Sequence, residues 1–282
     1  MNTLNLGAIG NCVISALIEP QGSMVWSCFP RLDAEPIFSS LVDETPVSGR
    51  RSEWSIEVEG LVRSEQQYMV NSAVLQTRLY ASDGSCVEIS DHCPRFEMNG
   101  RMFRPQQIVR RLRSLSGNPR IRIGLRPGFE YGAPPQQITH GSNHIRYVGP
   151  GQILRLTTDA PISYILEEKP FLLEDGAAFI LGTDESLRGG VDETAREFQE
   201  RTHAQWCQWV RRLALPVDWQ DAVIRSAITL KLCTFEETGA IVAALTTSIP
   251  EAPGSERNWD YRYCWLRDAY FVIRALNSLS EV

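Results

Sequence analysis

The chain has 282 residues, 43% hydrophobic and 22% charged, with a formal net charge of −6; this fits a globular protein of one large or two ordinary domains and excludes a nucleic-acid binder, which needs a basic face. No apolar run approaches the roughly 20 residues that span a bilayer, so no membrane partner is expected, and residues 1–7 lack the basic-then-apolar order of a leader. Seven cysteines at scattered spacing, none in CxxC, read as reduced thiols of a cytoplasmic protein.

Residues 1 to about 185 read as strands. Residues 13–18 and 24–29 flank Pro20-Gln21-Gly22-Ser23, which is turn chemistry, and predict a hairpin. Residues 54–59 and 121–126 alternate apolar and polar with period two. Further strands are predicted at 67–80, 86–90, 106–115, 137–148, 152–157, 162–168 and 177–181, punctuated by Gly, Pro, Asn and Asp. About ten strands without intervening helical patterns imply an antiparallel sandwich.

The pattern changes near residue 190. Ala195, Phe198, Trp206, Trp209, Val210 and Leu213 fit a 3.6-residue period, which predicts one amphipathic helix over 192–213, capped by Asp192 and followed by Pro216. A second helix is predicted from Asp218 as its cap; its apolar residues run around most of its circumference, the mark of a buried helix. Residues 239–250 form a small-residue loop, and a last helix is predicted over about 265–279.

Several side chains invite chemistry. His92-Cys93 follows Asp91, but adjacent strand residues point to opposite faces, so a loop with a buried cysteine is the better reading. His140 and His144 flank a Gly/Ser turn with no third ligand in view and read as ordinary surface. Arginines at 101, 104, 110, 111, 113, 120, 122 and 126 read as the polar face of alternating strands balanced by acidic neighbours, rather than as a polyanion site. Trp206 and Trp209 read as packing on the connecting helix.

The densest chemistry lies in Arg257-Asn258-Trp259-Asp260-Tyr261-Arg262-Tyr263-Cys264-Trp265-Leu266-Arg267-Asp268, which holds three Arg, two Asp, two Trp and two Tyr. Such a mixture suits a pocket in which an indole covers the apolar face of a pyranose while Arg and Asp present donors and acceptors to its hydroxyls. The bland alternative is a buried Arg/Asp network pinning a helix start.

The stretch from Asn258 through Ala269 resembles the signature of glycoside hydrolase family 15, the glucoamylase, glucodextranase and trehalase family. The segments 239–244 and 246–251 are similar to the same family. Ile9-Gly10-Asn11, residues 21–26, Cys28-Phe29-Pro30-Arg31-Leu32-Asp33, Val109-Arg110-Arg111-Leu112 and residues 125–132 resemble the trehalase-like N-terminal sandwich of its prokaryotic members. The resemblance implies an antiparallel super-sandwich over 1–188, a linker helix over 189–215, and the first helices of an (α/α)6 barrel of six helical hairpins over 216–282. It implies that Trp265, Arg267 and Asp268 line the subsite for a non-reducing glucose, with Trp259 and Tyr263 as further substrate contacts. The implied activity is inverting hydrolysis of α-glucosidic bonds in trehalose or oligosaccharides, with no organic cofactor and no metal.

Two departures qualify that expectation. Leu245 stands where the family pattern has Pro, which is expected to loosen the loop there. No residue matches either catalytic carboxyl, which inverting enzymes hold roughly 6.5–9.5 Å apart; the general acid and base are expected beyond Val282, and these residues alone are predicted to be inactive. The alternative is a non-catalytic carbohydrate-binding or interaction module derived from such an enzyme.

Overall fold

The computed structural model describes residues 5–42, 51–252 and 254–281; residues 1–4, on which part of the leader reading falls, and Val282 lie outside them. Two antiparallel sheets form the sandwich that the sequence predicts. Among the described residues, one sheet runs Gly7–Gly10, Ser15–Ile18, Met24–Cys28, Trp54–Val58, Arg120–Leu125 and Phe171–Leu172, with Pro36–Phe38 paired to the side of Met24–Cys28. The other runs Gln137–His140, His144–Gly149, Gln152–Thr158, Gly176–Gly182, Gln107–Ser116, Cys86–His92, Leu75–Ala81 and Leu61–Tyr68.

Alternation places the core. Ile121, Ile123 and Leu125 point inward and meet Leu79, Val87, Ile89 and Leu112 of the facing sheet, while Arg120 and Arg122 stay in solvent and pair with Glu59 and Glu57. Arg104, Arg111, Arg113 and Arg126 are likewise balanced, by Glu236, Asp192, Glu88 and Glu168. Arg110 differs from the sequence expectation because it is wholly buried rather than on a solvent face. Its guanidinium donates to Asp91 at 2.8 and 3.2 Å, to the Trp54 carbonyl at 2.8 Å and to the Gly22 carbonyl, so every buried charge there has a partner.

Some strand boundaries differ from the pattern reading. The stretch 67–80 is two strands meeting at a turn, not one. Its first strand, Leu61–Tyr68, is an edge strand carrying Arg63 and Glu65 toward water, and that charge hides the strand from any apolar alternation. Residues 162–168 are no strand: Ile162–Leu166 is a short helix, α1, opening after Pro161, whose φ of −61° suits a helix start. Ile162 and Ile165 fall three residues apart on its buried side.

Three more helices follow. α2, Val191–Val210, begins one residue before the predicted start. Its flanking residue is Gly190 and no side chain caps it; Asp192 instead sits in the first turn and pairs with Arg111 at 2.9 Å. Its N-terminal half lays Ala195 on Val109, Ala178 and Ile180. Its C-terminal half inserts Trp206 and Trp209, packed edge to face at 5.6 Å, into a second core. α3, Gln220–Leu232, is not capped by Asp218: left-handed Trp219, at φ 63°, precedes it with no side-chain bond. It is also not buried all round. Ile224, Ala227, Ile228 and Leu232 enter the second core, while Val223 and Leu230 line an open groove of about 550 Å³ with Leu215 and Leu279. α4, Leu266–Ser278, matches the predicted last helix.

The second core explains why Ser15–Ile18 and Met24–Cys28 are buried along their whole length. Ala16, Ile18 and Met24 face the sandwich interior, whereas Leu17, Trp26 and Cys28 face the helices. A strand covered on both sides reads as a continuous apolar run. The helices are also fixed by charge. Glu236, just after α3, accepts two bonds of 2.7 Å from Arg95 of the sandwich and lies 3.3 Å from Lys231.

Candidate functional site

The loop between α3 and α4 is assembled against the sandwich. Ala240–Ile241 pairs with Thr234–Phe235, and Ile241, Val242 and Leu245 are buried in the second core. Leu245 therefore anchors the loop instead of loosening it, as its replacement of Pro had suggested. Thr247 is buried at φ 49°. It takes the Trp26 indole N–H at 3.2 Å on its hydroxyl and the Tyr261 N–H at 3.2 Å on its carbonyl. The Ala243 N–H bonds the Tyr261 carbonyl at 3.1 Å, so the Tyr261 backbone is held from both sides.

From that fixed point the motif builds outward. Asp260 accepts from the Arg262 backbone N–H at 3.0 Å and from its guanidinium at 2.7 Å. These bonds outweigh burial and hold the Asp260 carboxyl below the usual carboxylate range. The Trp265 indole N–H donates to the Asp260 carbonyl at 2.9 Å. The Trp265 ring then meets Trp259 edge-on at 6.2 Å and Tyr261 at 6.3 Å, with the Arg267 guanidinium carbon 5.8 Å from its centroid. Arg267 lies 3.2 Å from Asp268, which occupies the first turn of α4, where the helix dipole favours a carboxylate. Glu251 closes the far side, accepting from Arg257 at 2.9 Å and from the Tyr261 hydroxyl at 3.1 Å.

Of the residues singled out from sequence, Trp259, Trp265, Arg267 and Asp268 are brought together. Tyr263 is 68% exposed, with no aromatic ring contact among the described residues. Arg267 is also 68% exposed, and Trp259 53%. Two residues were missed. Tyr261, whose ring lies 6.3 Å from that of Trp265, was signalled by its place inside the 257–268 cluster but not singled out as a contact. Tyr131 of the sandwich, bonded to Arg262 at 3.3 Å, lies in the 125–132 segment that carries the family resemblance, but nothing local linked it to the cluster.

The other candidates resolve as structure. His92 and Cys93 are both buried; burial lowers the imidazole to about 3 and pushes the thiol up, the opposite of an activated pair. His92 closes its strand rather than lying in a loop. His140 ends one strand opposite Ile145, and His144 opens the next, its carbonyl accepting from the Gly141 N–H of the turn at 2.9 Å. All seven cysteines are free thiols. No helix among the described residues is long and apolar enough to cross a membrane.

The chain thus builds a two-sheet sandwich followed by helices, with an aromatic and Arg/Asp cluster at a helix start. The family model for the trehalase-like N-terminal family matches residues 4–169, and that for glycosyl hydrolases family 15 matches 218–281. The trehalase of Mycolicibacterium smegmatis is 28% identical over 97% of this chain and 44% of its own length, and that of Thermoplasma volcanium is 28% identical over the same shares. Trehalase 1 of Sulfolobus acidocaldarius is 30% identical over 96% of this chain and 45% of its own. The chain belongs to the trehalase-like N-terminal family, and its residues 218–281 match the model of glycosyl hydrolases family 15. It spans somewhat under half the length of these relatives.

Proposed function

We propose that these residues form the N-terminal portion of an inverting, trehalase-type glycoside hydrolase of the cytoplasm, acting on the α-glucosidic bonds of trehalose or oligosaccharides. The chain divides as a sandwich over 1–188, a connecting helix over 189–215 and the opening of a six-hairpin barrel over 216–282. Trp265 stacks on the non-reducing glucose, Arg267 and Asp268 bond its outer hydroxyls, and Trp259 and Tyr263 border it. The observation that carries this reading is the Trp265 ring, fixed by its bond to Asp260 and bordered by Arg267 and Asp268 at the head of α4. The names of the relatives support trehalose as the substrate. The open apolar side of α4, with Leu266, Phe271 and Ile273 more than half exposed, supports further barrel helices against it. Free thiols throughout support a reducing compartment.

Neither Asp260 nor Glu251 of this cluster is placed as a general acid, whose carboxyl must stay protonated near neutrality. Asp260 is held in the opposite direction by Arg262, and Glu251 is tied to Arg257 and Tyr261. The purified chain is therefore expected to quench its tryptophan fluorescence on adding trehalose or glucose, to lose that response in Trp265→Ala, and to release no glucose from trehalose. Glucose release above blank would overturn the assignment of acid and base to other residues. A sugar response unchanged in Trp265→Ala would overturn the subsite.

A further inference from the structure

Tyr131 sits at the tip of a loop whose backbone is held in an unfavourable shape. Glu130 and Tyr131 both occupy the left-handed region, at φ 49° and 61°, and Gly132 follows at φ 121°. Two successive non-glycine residues there persist only where the surroundings fix them. The surroundings do so. Phe129 and Ala133 exchange bonds of 2.8 and 2.7 Å across the loop base. The Phe129 ring is buried against Gly149, where a Cβ would stand 2.3 Å from it. The loop is thus bolted to the sandwich and aims one side chain outward.

That side chain meets the motif. The Tyr131 hydroxyl lies 3.2 Å from the Ser248 hydroxyl and accepts from Arg262 Nη1 at 3.3 Å. Nε and Nη2 of Arg262 are committed to Asp260 at 3.0 and 2.7 Å. The backbone carbonyl of Asp260 in turn receives the Trp265 indole N–H. A hydrogen-bonded path therefore runs from the sandwich loop through Arg262 and Asp260 to the ring that carries the sugar reading.

We propose that Tyr131 is a positioning residue for Trp265: the sandwich sets the orientation of the indole by holding the outer nitrogen of Arg262. This rests on the reading of Trp265 as the sugar-stacking ring, but its test has a separate readout. In the intact 282-residue chain, Tyr131→Phe removes only the hydroxyl of a partly exposed ring. The melting temperature and the Trp26 indole N–H resonance should stay as in wild type. The Trp265 indole N–H resonance, assigned through Trp265→Phe, should shift and exchange faster with solvent, and affinity for trehalose or glucose should fall about three- to tenfold. Arg262→Lys, which keeps the charge but loses the planar fork, should move the same resonance. An unchanged Trp265 resonance and exchange rate in Tyr131→Phe would overturn the proposal. If that resonance moves while the wild-type chain binds no sugar, the positioning stands and the sugar-subsite reading falls.

Discussion

His92 makes the fold sensitive to acid in a way that can be calculated. It ends the strand Cys86–His92, opposite Val109, with no exposed surface. Neither ring nitrogen has a hydrogen-bond partner among the described residues. Burial alone lowers its pKa from 6.5 to about 3. The unfolded chain takes up the proton near 6.5, whereas the folded chain refuses it until about 3. Within that window the unfolded state holds more protons, so stability is complete above it and is lost as the pH falls through it. About 3.5 pH units at about 1.36 kcal/mol each give about 5 kcal/mol in all, of which about 2 kcal/mol is gone by pH 5.

The perturbation is His92→Phe, which keeps a ring and removes the proton site. Urea unfolding of both proteins, followed by tryptophan fluorescence from about pH 7 to pH 4, gives their stability difference. The remaining titratable groups are common to both and cancel. At neutral pH the difference reflects ring volume and the loss of unbonded nitrogens. Between about pH 7 and pH 5 it should move by about 2 kcal/mol in favour of the variant. A difference that stays flat across this range, or a His92 ring that titrates near its ordinary value by NMR, would refute the reasoning.

Three further outcomes follow from the same kind of argument. Asp91→Asn should cost about 3–5 kcal/mol by stranding the buried Arg110, whereas Asp91→Leu combined with Arg110→Met should cost far less; thermal melts of the two variants decide this. Burial pushes the Glu236 carboxyl up, but Arg95 and Lys231 outweigh it and hold the net value below the usual 4.5. The stabilisation is present above 4.5 and is lost as the pH falls through the lower folded value; Glu236→Gln should cost about 3 kcal/mol at pH 7 and progressively less in acid, read by urea unfolding. Brief treatment of the native protein with a thiol reagent should label Cys264 first and Cys207 more slowly, and leave the buried Cys12, Cys28, Cys86, Cys93 and Cys233 intact, as mass mapping would show.

The sequence revealed what depends on local periodicity or on contiguous residues. Ile121, Ile123 and Leu125 alternate against one core, and their strand was legible for that reason. Leu61–Tyr68 was only partly legible, because this edge strand carries Arg63, Glu65 and Gln67 on its exposed face and Ser64 and Gln66 on its half-buried one, so no apolar alternation shows. Ile162–Leu166 was misread because two isoleucines three residues apart, with a leucine next to the second, satisfy a short strand as well as a short helix; Pro161 was the deciding signal. Trp265, Arg267 and Asp268 lie within four residues of one another, so their being brought together was legible.

What no local pattern could give is the support beneath them. Arg110 looks in the sequence like any arginine on a polar strand face, and only the fold shows it closed inside with Asp91. Trp26 reads as an ordinary strand tryptophan, yet its indole bonds Thr247, which fixes the backbone of Tyr261. Tyr131 appears in the sequence only as part of the 125–132 resemblance, yet it holds Arg262. The last two contacts join residues more than a hundred positions apart, and both lead to the aromatic cluster at the head of α4. The sandwich contacts that cluster through its support, not through the exposed faces of Trp259 and Arg267. A change in Trp26 or Tyr131 should therefore alter how the cluster is held while leaving its own side chains intact.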